Sequence, residues 1–203
     1  MSDTKDEWRL TKLLNMLDTP IAVSSCLLGE SCRYDGQSKP HPLVRRLAEE
    51  RAVVGICPEV LGGLSTPRPP SGIKVSASDS SGSRVPLSAG SNLNCAELRD
   101  SFSDAEDCEM SDVNAGALVW QGRACLINRE GRDVTAEYKS GALKALAIAE
   151  AAGVKLAILK QHSPSCGCGS TGGAEPWRRI AGDGVAAALF KAHGIAVFSD
   201  EEL

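Results

Sequence analysis

Four short apolar runs recur along this chain of 203 residues: IAVSS (21–25), VVGI (53–56), KLAILK (155–160) and IAVFS (195–199). None alternates with polar residues as a half-exposed strand does, and β-branched residues are frequent in them, so each predicts a buried strand. Between them, apolar residues fall at helical spacing in LVRRLAEERA (43–52), TAEYKSGALKALAIAEAAG (135–153) and GDGVAAALFKAHG (182–194). In the second of these Thr135 is placed to cap the helix and Gly153 to stop it. Trp8, Leu10, Leu13, Leu14 and Leu17 predict another helix over 5–17, ended by Pro20. Buried strands alternating with amphipathic helices imply a single-domain, three-layer α/β fold, Rossmann-like or flavodoxin-like. Its sheet is mainly parallel, with helices on both faces.

Two regions break the pattern. Residues 1–18 read as an N-terminal helical extension to an α/β domain over 19–203. Residues of about 76–116, rich in Ser, Asp, Gly and Asn, read as an insertion with a short helix near NCAELRDSF (94–102). LVWQGRACLINREGRDV (118–134) reads as a strand or hairpin, and STPRPPSG (65–72) as a loop. Aromatic residues make up only 4% and there are 20 glycines, which favours an Ala/Val/Leu/Gly core over a β-sandwich. The net charge of −4 comes with no basic patch, so a nucleic-acid duplex is not the expected partner. The first twenty residues lack the apolar core of a signal peptide, and no run reaches the roughly 18 residues that cross a bilayer. The expectation is a cytoplasmic protein, without membrane association, whose 8 cysteines are thiols or metal ligands rather than disulfides.

Three cysteines share a topological position. IAVSS leads into Cys26, VVGI into Cys57, and KLAILK, after a short loop, into Cys166. In open α/β sheets, ligands bind beyond the carboxyl ends of the strands. One cysteine beside a strand is usually a small buried hydrophobe; three at equivalent ends, each beside Gly, Ser or Pro, point to a site. Their spacing is neither a zinc-ribbon pattern nor a ferredoxin run. It suits a [4Fe–4S] cluster with one iron free of protein, available as a Lewis acid.

The neighbours carry further chemistry. Glu59, two residues after Cys57, is a candidate to hold or deliver a proton. Ser163 and Ser165 have hydroxyls to donate to sulfur or substrate, although Ser-Pro is also ordinary turn chemistry. Arg33, Tyr34 and Asp35 form a polar group after the first strand, and Asp35-Gly36 is also a standard turn. Arg68, between prolines, is placed to grip an anion or a carbonyl. Gly182 and Gly184 open a helix whose N–H groups attract an anion, a weak motif. Cys125 reads as core, His162 as a proton donor near the site, and Cys32, Cys95, Cys108 and Cys168 are unassigned.

The segments SSCLLG, CRYDG, CPEVLGGLSTPRPP, GRDVTAEYKSGA, ILKQHSPSCG and GDGVAAALFKAHGIAVFS together resemble the DUF523 family, which includes the TudS thiouracil desulfidases. The resemblance covers nearly the whole chain outside about 1–18 and 76–116. It implies a [4Fe–4S] cluster held by Cys26, Cys57 and Cys166, and a small thiolated pyrimidine base or nucleotide as substrate. Sulfur would leave as sulfide and water would supply the oxygen, without redox chemistry. It further implies Glu59 as the acid/base carboxylate and Ser163 as its helper. Ser25, Arg33, Tyr34, Asp35, Arg68 and Ser165 are the candidate substrate contacts, and a monomer or homodimer is expected. CGSTGGAEPWRR (168–179) departs from the family pattern. Two other readings stand beside this one: a non-catalytic module binding zinc or a structural cluster, and a cluster-free thiol enzyme with Cys166 as nucleophile and His162 as base.

Overall fold

The computed structural model describes residues 19–75, 114–174 and 178–203. The expected helices over 5–17 and 94–102, with Cys95 and Cys108, lie outside these residues. Among the described residues there are eight strands: β1 (Ile21–Ser24), β2 (Val53–Ile56), β3 (Ser71–Val75), β4 (Ala124–Asn128), β5 (Leu156–Leu159), β6 (Ser170–Gly172), β7 (Arg179–Ala181) and β8 (Ala196–Ser199). The helices are α1 (Ser25–Leu28), α2 (Pro42–Glu50), α3 (Pro58–Leu61), α4 (Ala115–Trp120), α5 (Thr135–Ala151) and α6 (Val185–Ala192).

The four apolar runs form one parallel sheet in the order β2-β1-β5-β8. Its register places Ile21 beside both Val53 and Leu156, and Leu156 beside Ala196. Strands buried on both faces need apolar residues at every position, and every residue of β1, β5 and β8 is buried. One face, with Ile21, Val23, Ile158 and Phe198, packs on Leu43, Val44 and Leu47 of α2. The other, with Ala22, Ile56, Ala157 and Val197, packs on α4, α5 and α6. This is the expected three-layer arrangement. Among the described residues no helix is long and apolar enough to cross a membrane.

The departures from expectation have local causes. Leu118–Trp120 is helical rather than extended, because Asn114 caps α4 by accepting from the Ala117 N–H at 3.2 Å. The rest of that segment does turn back on itself: Asn128 Oδ1 accepts from the Glu130 and Arg132 N–H groups, and Ile127 bridges to Asp133. The end of the expected loop at 65–72 is already strand, since β3 begins at Ser71 and pairs antiparallel with β4. Thr135 does not cap α5. Its hydroxyl accepts from Leu126 N at 2.8 Å, while Asp133 Oδ1 takes the Thr135 N–H at 2.8 Å. Gly153 ends the helix as expected, with φ of 71°. Cys125 is half-buried rather than core, since β4 turns Ala124, Leu126 and Asn128 inward.

Helix α5 sets the position of the short α3. A Cβ at Gly141 would overlap the Pro58 carbonyl, and one at Gly62 would overlap the Glu137 carbonyl, so the two backbones touch. We expect Gly141→Ala to push α3 away and to destabilise the fold by about 1–3 kcal/mol. Urea unfolding checks this, and unchanged stability would show that α3 yields freely.

Candidate active site

Strands β1 and β5 are neighbours whose outgoing connections run to opposite sides, β1 through α2 to β2 and β5 through α6 to β8. A crevice opens where the winding reverses in this way. Here it is a cleft of about 590 Å³ at the carboxyl ends of the strands, and Cys26, Cys57 and Cys166 all line it. Cys26 lies in α1, directly after β1, and Cys57 stands at the N-cap of α3.

The Cys166 loop is fixed from behind. The first N–H groups of a helix lack partners within it, and those of α6 are taken by this loop. Val185 N donates to Pro164 O at 3.0 Å, and Ala186 N to Ser165 O at 2.9 Å. A Cβ at Gly184 would overlap the backbone of Ser165. The Gly182–Gly184 segment, expected as a weak anion site, therefore docks the cysteine loop instead.

A fourth thiol lines the same cleft. Cys32 stands beside the Cys26 thiol, which together with burial pushes its own pKa up to about 11. Cys57 is raised further, first by its contact with Cys32 and then by burial, and its Sγ donates to Cys32 O at 3.7 Å. Burial pushes Cys166 up to about 12, against the pull of the Ser24 and Ser165 hydroxyls beside it. Ser165 is fully buried, and its Oγ stands beside the Cys166 sulfur. Sequence reading left Cys32 unassigned because it follows no strand; its signal was CRYDG, the motif that holds it.

This donor set fits an iron–sulfur cluster. Soft thiols converge from three strand ends, and hydroxyls stand where a thiolate at Cys166 would accept from them. Among the described residues no three His, Cys, Asp or Glu side chains are arranged to hold a single metal ion. The thiols line the cleft rather than closing on one point.

Glu59 and Ser163, predicted from separate segments, meet. Ser163 Oγ accepts from the Ser165 and Cys166 N–H groups at 3.1 and 3.2 Å. With its lone pairs engaged, its proton is directed to Glu59 Oε1, 3.3 Å away. Arg68 holds the other oxygen: its Nε donates to Glu59 Oε2 at 2.8 Å. The remaining Arg68 nitrogens donate to Ser65 O, Thr66 Oγ1 and Cys32 O. Arg68 lines the cleft, but its guanidinium clamps Glu59 and the Cys32 loop. Tyr138, buried and unnoticed in the sequence, lies beside Glu59 and Ser71; burial, then Glu59, raises its phenol pKa.

The other candidates divide. Ser25, Arg33 and Tyr34 line the cleft, whereas Ser165 lies behind Cys166. Asp35 is outside the lining. It accepts from Arg33 Nε and Nη2 at 3.2 and 3.1 Å and from Gln37 N at 3.1 Å, and the arginine lowers its pKa. His162 lines the cleft in left-handed backbone, φ 63°, with Nε2 3.4 Å from Glu201. Cys168 is buried in the core, its Sγ 3.6 Å from Val197 O. At the mouth stand Arg129, Arg178 and Arg179, while Glu59 is the only acid that lines the cleft among the described residues.

Comparison with known proteins gives this cleft a context. A family model described as 2-thiouracil desulfurase matches residues 21–107 and 95–202. The uncharacterised protein YbbK of Bacillus subtilis (strain 168) is 36% identical over 184 residues, covering 90% of this chain and 97% of that protein. The solved structure of the [4Fe-4S]-dependent thiouracil desulfidase TudS superimposes with a TM-score of 0.63 at 33% identity, covering 91% of this chain and 93% of its own. The chain belongs to the 2-thiouracil desulfurase family, DUF523.

Proposed function

We propose that this enzyme hydrolyses the C=S bond of a thiolated pyrimidine, releasing the sulfur as hydrosulfide. The observation that carries the reading is the Glu59–Ser163 pair standing in the same cleft as the thiols. Cys26, Cys57 and Cys166 would hold a [4Fe–4S] cluster, the group on which the TudS neighbour depends, and the cluster would supply a thiophilic Lewis acid for the substrate's sulfur.

The chain's own residues do the rest. Glu59, its geometry fixed by Arg68 and Ser163, takes a proton from water as the oxygen attacks the ring carbon. The same carboxyl then returns a proton as the C–S bond breaks, so no electrons are gained or lost. The arginines at the mouth favour a substrate carrying a phosphate, such as a 4-thiouridine nucleotide, over the bare base. A cluster-free nucleophile at Cys166 fits less well. The side chains that hydrogen-bond its thiol are the Ser24 and Ser165 hydroxyls, neither of which is a base.

Anaerobic reconstitution followed by a sulfide-release assay on 2-thiouracil tests the reading. Brown protein and stoichiometric sulfide are expected from the wild type, and loss of both from Cys26→Ala, Cys57→Ala and Cys166→Ala. A colourless preparation that still desulfurates would overturn it. Glu59→Gln is expected to keep its iron while kcat falls by about 10²–10⁴. Arg179→Ala is expected to raise KM for 4-thiouridine monophosphate roughly tenfold, the loss of one charge-assisted hydrogen bond, with little change for 2-thiouracil. Equal effects on both substrates would remove the phosphate from the reading.

A further inference from the structure

Cys32 shares the cleft with the three thiols assigned to the cluster, and nothing in the reaction above uses it. It is not a cysteine that merely fills core. Its thiol stands beside those of both Cys26 and Cys57, although it comes from a loop rather than a strand end.

That loop is held tightly. Cys32 N donates to Glu30 O at 2.9 Å, Arg33 N to Gln37 O at 3.2 Å, and Gly36 N to Arg33 O at 3.0 Å. The Cys32 carbonyl accepts from Arg68 Nη2 at 3.0 Å and from Cys57 Sγ at 3.7 Å. Arg68 N donates to Tyr34 O at 2.8 Å, so a second backbone contact ties the loop to the segment that positions Glu59. The Cys32 backbone is thus anchored by the same arginine that orients the catalytic carboxylate.

We propose that Cys32 is a fourth, exchangeable thiolate ligand, which covers the iron left free by Cys26, Cys57 and Cys166 until substrate sulfur displaces it. The proposal rests on the cluster reading above. The exchange balances without redox chemistry. The Cys32 sulfur–iron bond breaks and a bond from iron to the thiobase sulfur forms. The ring N–H proton released as the thiobase binds through sulfur passes to the Cys32 thiolate. When hydrosulfide leaves the iron, the Cys32 thiol would give that proton to it, and the thiolate would bind again. Between turnovers the thiol keeps water and oxidants from an iron that would otherwise be exposed.

The test measures iron loss rather than turnover. Reconstituted wild type, Cys32→Ala and Cys32→Ser are treated anaerobically with ferricyanide, and the paramagnetic signal of the three-iron cluster is followed by electron paramagnetic resonance. We expect all three proteins to bind four irons at first. Without substrate, Cys32→Ala is expected to develop the three-iron signal about tenfold faster than wild type, with Cys32→Ser in between. A saturating excess of 2-thiouracil should remove the difference for as long as substrate remains, because its sulfur then covers the same iron. Circular dichroism confirms that the variants are folded; if Cys32→Ala is not, the Cys32→Ser comparison decides alone. Equal rates of iron loss would overturn the proposal while leaving the desulfidase reading intact. Failure of folded Cys32→Ala to take up a cluster would also overturn it, by making Cys32 a permanent ligand. A wild type that takes up no iron would remove the cluster reading and this inference together.

Discussion

The site depends on a docking of backbone on backbone: the cysteine loop of 163–167 against the N-terminus of α6. The exposed N–H groups at a helix start need acceptors, and the Pro164 and Ser165 carbonyls provide them. Gly184 N donates to Gly167 O at 2.8 Å, and the missing Cβ at Gly184 lets the two chains approach. Because Ser163 and Cys166 share this loop, one anchor places a cleft thiol and the hydroxyl that orients Glu59. Buried Asp183 extends the anchor. Its Oδ1 accepts from Gly169 N and Lys191 Nζ, and its Oδ2 from Asn114 Nδ2, which ties the loop, α6 and the start of α4 together.

The opposite wall is organised around Arg68. Burying a guanidinium is costly unless each donor finds an acceptor. With 5% of its side chain exposed, it reaches Glu59 Oε2, Thr66 Oγ1 and two backbone carbonyls. The arginine therefore serves two walls of the cleft, fixing a carboxylate on α3 and the loop after α1. Between them, contact among the thiols and burial raise the pKa values of Cys32, Cys57 and Cys166.

The large-scale plan was legible in the sequence because it follows from patterning. Four uninterrupted apolar runs became the four parallel strands, and the cysteines at their ends met in one cleft. Glu59 and Ser163 were legible through their nearness in sequence to those cysteines. Long-range partnerships were not. Nothing local in TPRPP says that Arg68 reaches back to Cys32 O, or that the Thr135 hydroxyl serves β4 rather than its own helix. The LVW of α4 reads as strand until Asn114 is seen to cap it. Cys32 was overlooked because the argument from strand ends excludes it, whereas space does not.

The touching backbones of α3 and α5 have a geometric corollary. Cys57 and Glu59 ride on the same short helix, which is pressed at Pro58 and Gly62 against the longest helix in the described structure. The distance between Cys57 and Glu59 is thus set by one rigid contact and has little freedom to drift. The Cys32–Gln37 loop and the β6–β7 ribbon border the same cleft without bearing that contact. A residue changed there reshapes the cleft while Cys57 and Glu59 keep their places.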